Sequence, residues 1–385
     1  METIRFKTKT TFIDRSDAQL SQYPIGLDIG YSAVKIFSPN KVAIFPSYAK
    51  PYINKGTIGK LTDNFIVYTD LDKNESWLVG EYAQTDTTFN DAIESDEAQY
   101  GRMRWHDPMI KVIARTGLGV ALMSNKYGNA GKRKIVVQTG LPPKFTDDSK
   151  LVKRVLAGRH HFSVKIGSNA PEEFDFELTE DDIRLILQPM GTLYSVAINN
   201  DHRYAPQSVE YMNKSCLIFD AGFGTFDLFL LKNHMIKDSQ TFSNLGMKQV
   251  FEETAEKIYE KYNVRIGVTD MQKYLKEGQI IVSDGLFSSY KAEFGDILEQ
   301  VSAEVCRRAL EKTAQIYKLS EIDYLVITGG TGAAWEKTIR QTLSQMSTLS
   351  IVSGNQNETD LPYVFSNVRG YYMNLYSKIK QSEKK

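Results

Sequence analysis

The sequence predicts an α/β protein built from two related halves that contribute to one ligand cleft. A strand–turn–strand segment with an aspartate at the turn occurs twice, over residues 25–37 and 217–231. The two aspartates, Asp28 and Asp220, stand half of the 385-residue chain apart, as a duplicated half-domain would place them. A third apolar strand leads into the glycine turn 329–332 and then a helical segment, a pattern suited to phosphate.

The length of 385 residues is sufficient for two or three domains. We expect a polar extension over residues 1–22, flexible or loosely docked because it is polar and mixed in charge. A domain I is expected over 23–200 plus 360–385, and a domain II over 201–359. Residues 48–104, rich in Thr, Asp, Asn, Tyr and Gly, are predicted to form a small subdomain inserted in the first of these domains.

Charge and composition argue against several classes of protein. The 47 basic residues balance the 47 acidic ones, so a general nucleic-acid coat or an acidic-membrane surface is not indicated. No apolar run approaches the roughly 20 residues of a transmembrane helix, and the N-terminus lacks the apolar region of a signal peptide. Cys216 and Cys306 have apolar neighbours, which predicts buried reduced thiols and a cytoplasmic protein without a membrane partner.

Apolar runs and helical periodicity predict the remaining elements in order. Strands are expected at 41–47, 65–68, 76–79, 134–143, 162–166 and 183–187. Helices are expected from Asp107–Pro108 to Leu122, from Pro189, and over 246–262, 269–277, 290–318 and 362–380. The acidic stretch 86–97 is predicted to be a solvated loop or surface helix. His160 and His161 are predicted to be surface residues that precede a strand and face opposite sides of it.

The two repeated segments align residue by residue. With Asp28 placed on Asp220, the aligned pairs are Gly30 and Gly222, Tyr31 and Phe223, Ser32 and Gly224, and Lys35 and Asp227. We call residues 28–35 the first loop and 220–227 the second loop. Glycines at 222 and 224 allow positive φ, so that backbone N–H groups point into one concavity that can wrap an anion. A single copy would also fit an ordinary hairpin turn, which uses the same residue types.

Gln188 stands where the apolar strand 183–187 ends and Pro189 opens a helix. The carboxyl edge of a strand is where α/β sheets bind their ligands. An amide at this position could equally cap the turn.

Together these features predict a nucleoside triphosphate with magnesium. Lys35 would meet the β- and γ-phosphates, and Asp28 and Asp220 would hold hydrated magnesium. The glycine turn 329–332 would lie against the α-phosphate and adenosine, and Gln188 would orient a water for in-line attack. The glycine spacing of a Rossmann fingerprint is absent, and so is a Walker A loop.

The ordered motifs resemble a known family. Four segments resemble the first phosphate loop, connecting segment, second phosphate loop and adenosine motif of the actin superfamily: Asp28–Lys35, Gln188–Met190, Asp220–Asp227 and Thr328–Gly332. Within it the bacterial plasmid-partition actins, the ParM (StbA-like) group, are the best match, because Phe365–Tyr372 resembles a signature of that group. The motifs cover roughly residues 24–375.

The resemblance implies a two-domain actin-like (duplicated ribonuclease H-like) fold with a nucleotide cleft between the domains. It implies an ATP hydrolase, with GTP as the alternative nucleotide, that assembles into a helical filament in the bacterial cytoplasm. It also implies plasmid DNA segregation through a ParR-like DNA-binding adaptor on a plasmid centromere, with no direct nucleic-acid binding by the chain itself.

Carried over by position, the catalytic residues would be Gln188 and Asp220, and Asp28 and Asp220 would hold magnesium through water. The nucleotide-binding residues would be Asp28, Gly30, Tyr31, Ser32, Lys35, Gly222, Phe223, Gly224, Thr225, Gly329, Gly330, Thr331 and Gly332. ParM proteins typically have Glu at the position of Gln188, whereas actin has Gln. An amide cannot accept a proton as a carboxylate does, so this departure bears on the hydrolysis rate.

Three alternatives share the superfold, since fold alone does not fix function. A sugar or acid kinase would need an aspartate base near the position of Gln188. A DnaK-type chaperone ATPase would need a substrate-binding domain after residue 385. A membrane-tethered actin relative would need an apolar amphipathic end, and the C-terminal segment 377–385 is basic and poor in apolar residues.

Overall fold

The computed structural model describes residues 2–17, 20–54, 56, 60–85, 102–275 and 277–384. These residues form two compact units. The first unit contains the described residues between 8 and 203 together with 367–384, and the second unit contains residues 2–7 and 204–366. Residues 360–366, which the sequence assigned to the first domain, thus group with the second unit.

The first unit contains two sheets. Its strands are β1 (Thr11–Asp14), β2 (Gln22–Ile29), β3 (Ala33–Phe37), β4 (Lys41–Pro46), β5 (Ala49–Pro51), β6 (Ile66–Asp70), β7 (Glu75–Val79), β8 (Lys134–Leu141), β9 (Gly158–Ile166), β10 (Glu172–Leu178) and β11 (Ile183–Leu187). Its helices up to residue 203 are α1 (Glu81–Thr85), α2 (Pro108–Leu122), α3 (Ser149–Leu156) and α4 (Gln188–Ala197). The sheet orders are β1-β4-β3-β2-β8-β11 and β10-β9-β6-β7-β5. The second sheet therefore extends beyond the predicted insertion at 48–104, because β9 pairs with β6.

The second unit contains one larger sheet and one hairpin. Its helices are α5 (Ser208–Asn213), α6 (Met247–Tyr262), α7 (Val268–Tyr274), α8 (Gly295–Ile316) and α9 (Gly330–Thr342). Its strands are β12 (Cys216–Ala221), β13 (Phe226–Lys232), β14 (Met235–Phe242), β15 (Gln279–Ser283), β16 (Ser289–Glu293), β17 (Tyr324–Thr328) and β18 (Ser350–Ser353). The sheet order is β14-β13-β12-β17-β18, with β15 and β16 paired separately.

The predicted duplication is confirmed by the topology. In the first unit β2 pairs antiparallel with β3 and parallel with β8, and β8 pairs parallel with β11. In the second unit β12 pairs antiparallel with β13 and parallel with β17, and β17 pairs parallel with β18. Each unit thus contains the same five-strand order, with a loop between its first two strands at the carboxyl end of the central strand.

The last helix, α10 (Ser366–Ser382), packs against the first unit from residue 367 onward, as the sequence predicted. Glycines make the approach close: a Cβ at Gly370 would lie 1.7 Å from the carbonyl oxygen of Gly191. Arg369 is 2% exposed and donates to the Ser195 carbonyl at 2.7 Å. Only glycine allows backbones to pack at such a distance, so this contact fixes the position of α10.

The prediction of a flexible or loosely docked extension over residues 1–22 is wrong. Residues 11–14 form β1, which pairs with β4 along its whole length. Phe6 is 8% exposed, and the Thr3 hydroxyl donates to Ser302 at 2.8 Å. The segment is polar in composition, and its buried residues, Thr3 and Phe6 among them, are too few to give a recognisable pattern in the sequence.

The prediction of two surface histidines before a strand is wrong for His160. Both histidines lie within β9, and His160 is fully buried, stacked on Phe176 and bonded to the Leu156 carbonyl at 2.9 Å. Burial lowers the pKa of His160 to about 4. His161 faces the other side and bonds to Asp72 at 2.6 Å. The aromatic partner that covers His160 comes from β10, which sequence periodicity does not reveal.

The predicted helix over 290–318 begins later than expected. Residues 289–293 form β16, which pairs with β15 as a hairpin, and α8 starts at Gly295. The hairpin was not predicted, because two five-residue strands with polar outer faces give little periodicity.

The predicted helix cap at Asp107 and the predicted buried thiols are confirmed. Asp107 caps α2 by accepting from the Met109 N–H at 2.8 Å, as expected. Cys216 and Cys306 are buried free thiols, and burial raises the pKa of each to about 12.

The acidic stretch 86–97 lies outside the described residues. Over the described part of the chain, the helices are all too short or too polar to cross a membrane.

Candidate functional site

The first loop joins β2 to β3 and carries an ion pair. Asp28 and Lys35 are cross-strand partners in the β2–β3 ladder. The Lys35 ammonium lies 2.9 Å from the Asp28 carboxylate, with both side chains largely buried. A cation and an anion are thus held side by side at the carboxyl end of the central strand. This is where the sequence predicted a phosphate contact and a metal ligand.

The turn of the first loop is tightly braced. The Gly30 N–H donates to the Ala33 carbonyl at 3.0 Å, and the Ser47 hydroxyl donates to the Gly30 carbonyl at 2.7 Å. A Cβ at Gly30 would lie 2.8 Å from the Lys35 ammonium. Glycine at this position therefore leaves room for the lysine head group. Ser32 is buried and Tyr31 is half-buried in the same turn.

Arg104 supports the first loop and was missed by the sequence reasoning. Its guanidinium donates to the carbonyls of Ile29 and Gly30, each at 3.1 Å, and stacks 4.5 Å from the ring centre of Tyr31. Arg104 is 3% exposed. No motif surrounds it in the sequence, so nothing there distinguishes it from other basic residues.

Gln188 lies at the same edge of the sheet as the first loop. It is the first residue of α4 and directly follows β11. Because β2, β8 and β11 are parallel neighbours, Asp28 near the end of β2 and Gln188 after β11 share the carboxyl edge. Two strand spacings separate them, about 10 Å. The structure thus groups Asp28, Lys35 and Gln188 in the first unit.

The second loop joins β12 to β13 in the same way. Asp220 and Asp227 are cross-strand partners, so Asp227 occupies the position that Lys35 has in the first loop. The predicted alignment of the two loops is therefore confirmed by register. Asp220 is 1% exposed. The Gly222 N–H donates to the Thr225 carbonyl at 2.9 Å and closes the turn.

The expected role of the glycines in the second loop is wrong. Gly222 and Gly224 are not among the glycines with positive φ. Gly222 is instead needed for space, because a Cβ there would lie 3.0 Å from the Thr225 carbonyl. The carbonyls of Gly222 and Phe223 accept from the first N–H groups of α6, those of Met247 and Lys248, at 3.3 and 2.9 Å. The second loop is therefore held against the start of α6.

Asp227 is a buried acid within the second loop. The Thr225 and Thr241 hydroxyls donate to its two oxygens at 2.9 and 2.5 Å. Burial, and then the charge of the adjacent Asp220, raise the pKa of Asp227 to about 8. Burial therefore favours the protonated form of the Asp227 carboxyl.

The glycine turn lies beside the second loop. β17 runs parallel to β12, with Thr328 opposite Asp220. Gly329 has φ +82° and ψ 160°, and a Cβ there would lie 2.2 Å from the Ala221 carbonyl oxygen and 2.9 Å from an Asp220 carboxylate oxygen. The Thr331 hydroxyl donates to the Gly222 carbonyl at 2.6 Å. The second unit thus brings together Asp220, the second loop and the first residues of α9.

The residues present suit a magnesium–nucleotide ligand. The first turn of α9, residues 330–332, offers N–H groups that have no partner within a helix. Glycine at position 329 lets the backbone pass close to the Asp220 carboxylate, because a Cβ there would lie 2.9 Å from one of its oxygens. Over the described residues, no three His, Cys, Asp or Glu side chains are grouped to hold a metal by themselves. A magnesium ion that keeps its waters and takes phosphate oxygens needs only one or two carboxylates.

Comparison with known proteins identifies the fold. Residues 26–191 match the family model for the N-terminal domain of actin-like proteins. A search of curated protein sequences finds no match.

Three solved structures cover nearly the whole chain. A non-polymerisable quadruple mutant of pCBH ParM has a TM-score of 0.70 at 19% identity, over 93% of this chain and 99% of that one. A ParM from a 15-stranded filament of Clostridium botulinum has a TM-score of 0.70 at 18% identity, over 94% and 99%. The archaeal actin homologue Ta0583 in complex with ADP has a TM-score of 0.62 at 14% identity, over 93% and 100%. The chain therefore has the fold of actin-like proteins, and residues 26–191 match the model for the N-terminal domain of those proteins.

Proposed function

We propose that this chain binds ATP with magnesium, hydrolyses it and assembles into filaments that move plasmid DNA in the bacterial cytoplasm through a ParR-like adaptor. The repeated loop carries the nucleotide part of this proposal. Asp28 and Asp220 occupy the same register position in two copies of one sheet order. The ADP bound to the archaeal homologue of the same fold supports a nucleotide as the ligand.

The two loops would bind different parts of one magnesium–nucleotide ligand. Lys35, already held by Asp28, would pair with phosphate oxygens, and both Asp28 and Asp220 would bind waters of a magnesium ion. The N–H groups at the start of α9 would bind the α-phosphate and the adenosine side. A bound magnesium ion supplies charge compensation for the phosphates. Asp227, kept protonated, adds no competing charge.

Hydrolysis would depend on Gln188. Its place at the carboxyl edge of β11 supports a role in orienting the attacking water through its amide. An amide positions a water but does not take its proton, so we expect slow turnover. A small-molecule kinase is the alternative, but it would need an acidic base where Gln188 stands.

The nucleotide site can be tested with paired variants. We expect purified protein to bind ATP in the presence of magnesium, measured by calorimetry. Asp220→Asn should lower phosphate release on the order of 100-fold, because the carboxylate that would hold the hydrated magnesium is lost. Asp175→Asn, which removes an exposed ion pair with Arg159, is the matched control and should hydrolyse ATP like the wild type. Equal phosphate release by the Asp220 variant would remove that residue from the site.

Filament assembly is supported by an exposed apolar tip on the second unit. The β15–β16 hairpin closes through a bond from the Asp284 N–H to the Ser288 carbonyl at 2.9 Å. At its end Leu286 and Phe287 are 94% and 101% exposed. Adjacent fully exposed large apolar side chains are typical of a contact surface. We call residues 285–287 the tip, and we propose a second copy of this chain as its partner.

A second apolar surface lies at the opposite end of the same unit. The 22-residue helix α8 starts at the base of the hairpin, where the Phe294 N–H donates to the Gly278 carbonyl at 3.2 Å. It is about 33 Å long. Beyond its other end Tyr317 donates to Asp238 of β14 at 2.8 Å.

The first residues of β14, Met235 and Ile236, are 53% and 50% exposed and lie next to that bond. A tip at one end and an apolar patch at the other would give a heterologous contact that does not close on itself. Such contacts produce open filaments.

Assembly can be separated from nucleotide binding. Wild-type protein with ATP and magnesium should sediment, whereas Phe287→Asp should stay in the supernatant and still bind ATP. Ile53→Asp, at a 77% exposed apolar residue of the first unit, is the control and should sediment. If the Phe287 variant sediments like the wild type, the tip is not the contact. If wild-type protein remains monomeric across nucleotides and salts, the filament proposal itself fails.

A further inference from the structure

Residues 2–7 precede the first unit in sequence but belong to the second unit. A short helical turn, Thr3–Arg5, packs on α8. The Thr3 hydroxyl donates to Ser302 at 2.8 Å, and the same Ser302 oxygen accepts from the Trp335 indole of α9 at 3.1 Å. The Ile4 N–H donates to Glu299 at 3.0 Å. The N-terminal segment is therefore anchored on α8, next to the helix that begins at the glycine turn.

Phe6 extends from this anchor to the candidate nucleotide-binding residues. Its ring stacks on Phe223 of the second loop at 6.1 Å and meets Phe251 of α6 edge-on at 6.0 Å. A Cβ at Gly330, the first residue of α9, would lie 3.3 Å from the same ring. Phe6 thus contacts both the second loop and the glycine turn, the two elements of this unit that the proposed function assigns to the nucleotide.

The ring of Phe6 is covered by its neighbours and therefore cannot stack on a nucleotide base. It is 8% exposed, and Phe223 is 6% exposed and Phe251 fully buried. A base has no free aromatic face to stack on there. The second loop and the glycine turn are also bonded to each other through the Thr331 hydroxyl and the Gly222 carbonyl. Any effect of Phe6 on a ligand must therefore act through the position of these two elements.

We propose that Phe6 is a positioning residue for nucleotide binding. By packing on Phe223 and Gly330 at once, it holds the second loop and the start of α9 in the arrangement that accepts the nucleotide. Docking of residues 2–7 and binding of ATP are therefore coupled, and the coupling is reciprocal. This inference rests on the proposed function, since it assigns a regulator to the same site.

Variants within the N-terminal segment test the coupling in the full-length chain. Phe6→Ala should weaken ATP binding about tenfold, a typical coupling between sites, with a melting temperature close to that of the wild type. Phe6→Leu, which restores apolar volume, should recover most of the affinity. Ile4→Ala is the matched control, because Ile4 contacts Gly278 rather than the nucleotide-binding elements. It should bind ATP within about twofold of the wild type.

A second measurement uses the wild-type protein. Hydrogen exchange of the amides in residues 2–7 should slow when ATP and magnesium are added. Unchanged exchange, or a folded Phe6→Ala variant that binds ATP as tightly as the wild type, overturns the proposal while ATP binding stands. A wild-type chain that binds no nucleotide overturns both the proposed function and this coupling.

Discussion

Gly329 should be the glycine of the second unit least able to accept a side chain. Its φ of +82° with ψ of 160° is a conformation that essentially only glycine adopts, at a cost of about 1–3 kcal/mol for other residues. The new Cβ would also lie 2.2 Å from the Ala221 carbonyl oxygen, which is backbone and cannot rotate away. Relief of such an overlap costs about 1–3 kcal/mol more. We expect Gly329→Ala to lose about 4 kcal/mol of unfolding free energy.

Two other glycines allow the cost of the backbone conformation to be separated from the cost of the steric overlap. Gly285 has φ +111° and open space around its Cβ position, so Gly285→Ala should lose only the conformational part, about 1–2 kcal/mol. Gly295, the first residue of α8, has open space and no positive φ, so Gly295→Ala should not lose stability. The order of stability should therefore be Gly295→Ala, then Gly285→Ala, then Gly329→Ala.

Urea unfolding followed by fluorescence can isolate the second unit. The chain has three tryptophans, and Trp335 is the one in the second unit. Replacing Trp77 and Trp105 by Phe leaves Trp335 as the reporter, which avoids treating a two-unit chain as a single transition. If Gly329→Ala unfolds at the same urea concentration as Gly285→Ala, the close backbone contact has no energetic role and the reasoning from the structure is refuted.

Three further predictions concern the first unit. His160 is buried and neutral with its pKa lowered to about 4, whereas the unfolded chain takes up that proton near pH 6.5. Acidification from pH 6.5 to 4 should therefore cost this unit about 3 kcal/mol of stability through His160, and His160→Phe should remove that part of the pH dependence. Gly370→Ala should unfold the first unit or prevent its folding, measured by circular dichroism, because its Cβ would lie 1.7 Å from the Gly191 carbonyl. Arg104→Ala should weaken ATP binding about tenfold by releasing the first loop, measured by calorimetry.

Each of these has a result that would contradict it. An unchanged acid slope in His160→Phe would show that other groups set the pH dependence. A Gly370→Ala protein with wild-type stability would mean that α10 shifts at no cost. Wild-type ATP affinity in Arg104→Ala would show that the first loop keeps its shape without the two carbonyl bonds.

The sequence was informative where the signal is local or repeated. Asp28 and Asp220 were identified because one short pattern occurs twice, and the register of β2–β3 and β12–β13 confirms the pairing. Gln188 could be placed because a strand end and a proline mark its position within a few residues.

Features that depend on distant partners were not predictable. Thr3 is bonded to Ser302, Phe6 packs on Phe223, and His160 is covered by Phe176, each through a contact between residues distant in sequence. Arg104 donates to backbone carbonyls of the first loop, and no residue pattern in the sequence predicts such bonds. Gly222 was singled out in the sequence for positive φ, whereas in the structure its small size makes room for the Thr225 carbonyl.

Lys35 and Asp227 occupy the same register position in the two copies of the sheet, but their side chains differ in chemistry. Two copies of one sheet order would otherwise offer a ligand two equivalent loops. At one register position the first loop carries an ammonium paired with Asp28, and the second loop carries a protonated acid next to Asp220. The first loop thus pairs its aspartate with a cation, whereas the second loop places its aspartate opposite another acid. A single exchanged residue, lysine in one copy and aspartate in the other, therefore makes two loops of the same topology chemically distinct.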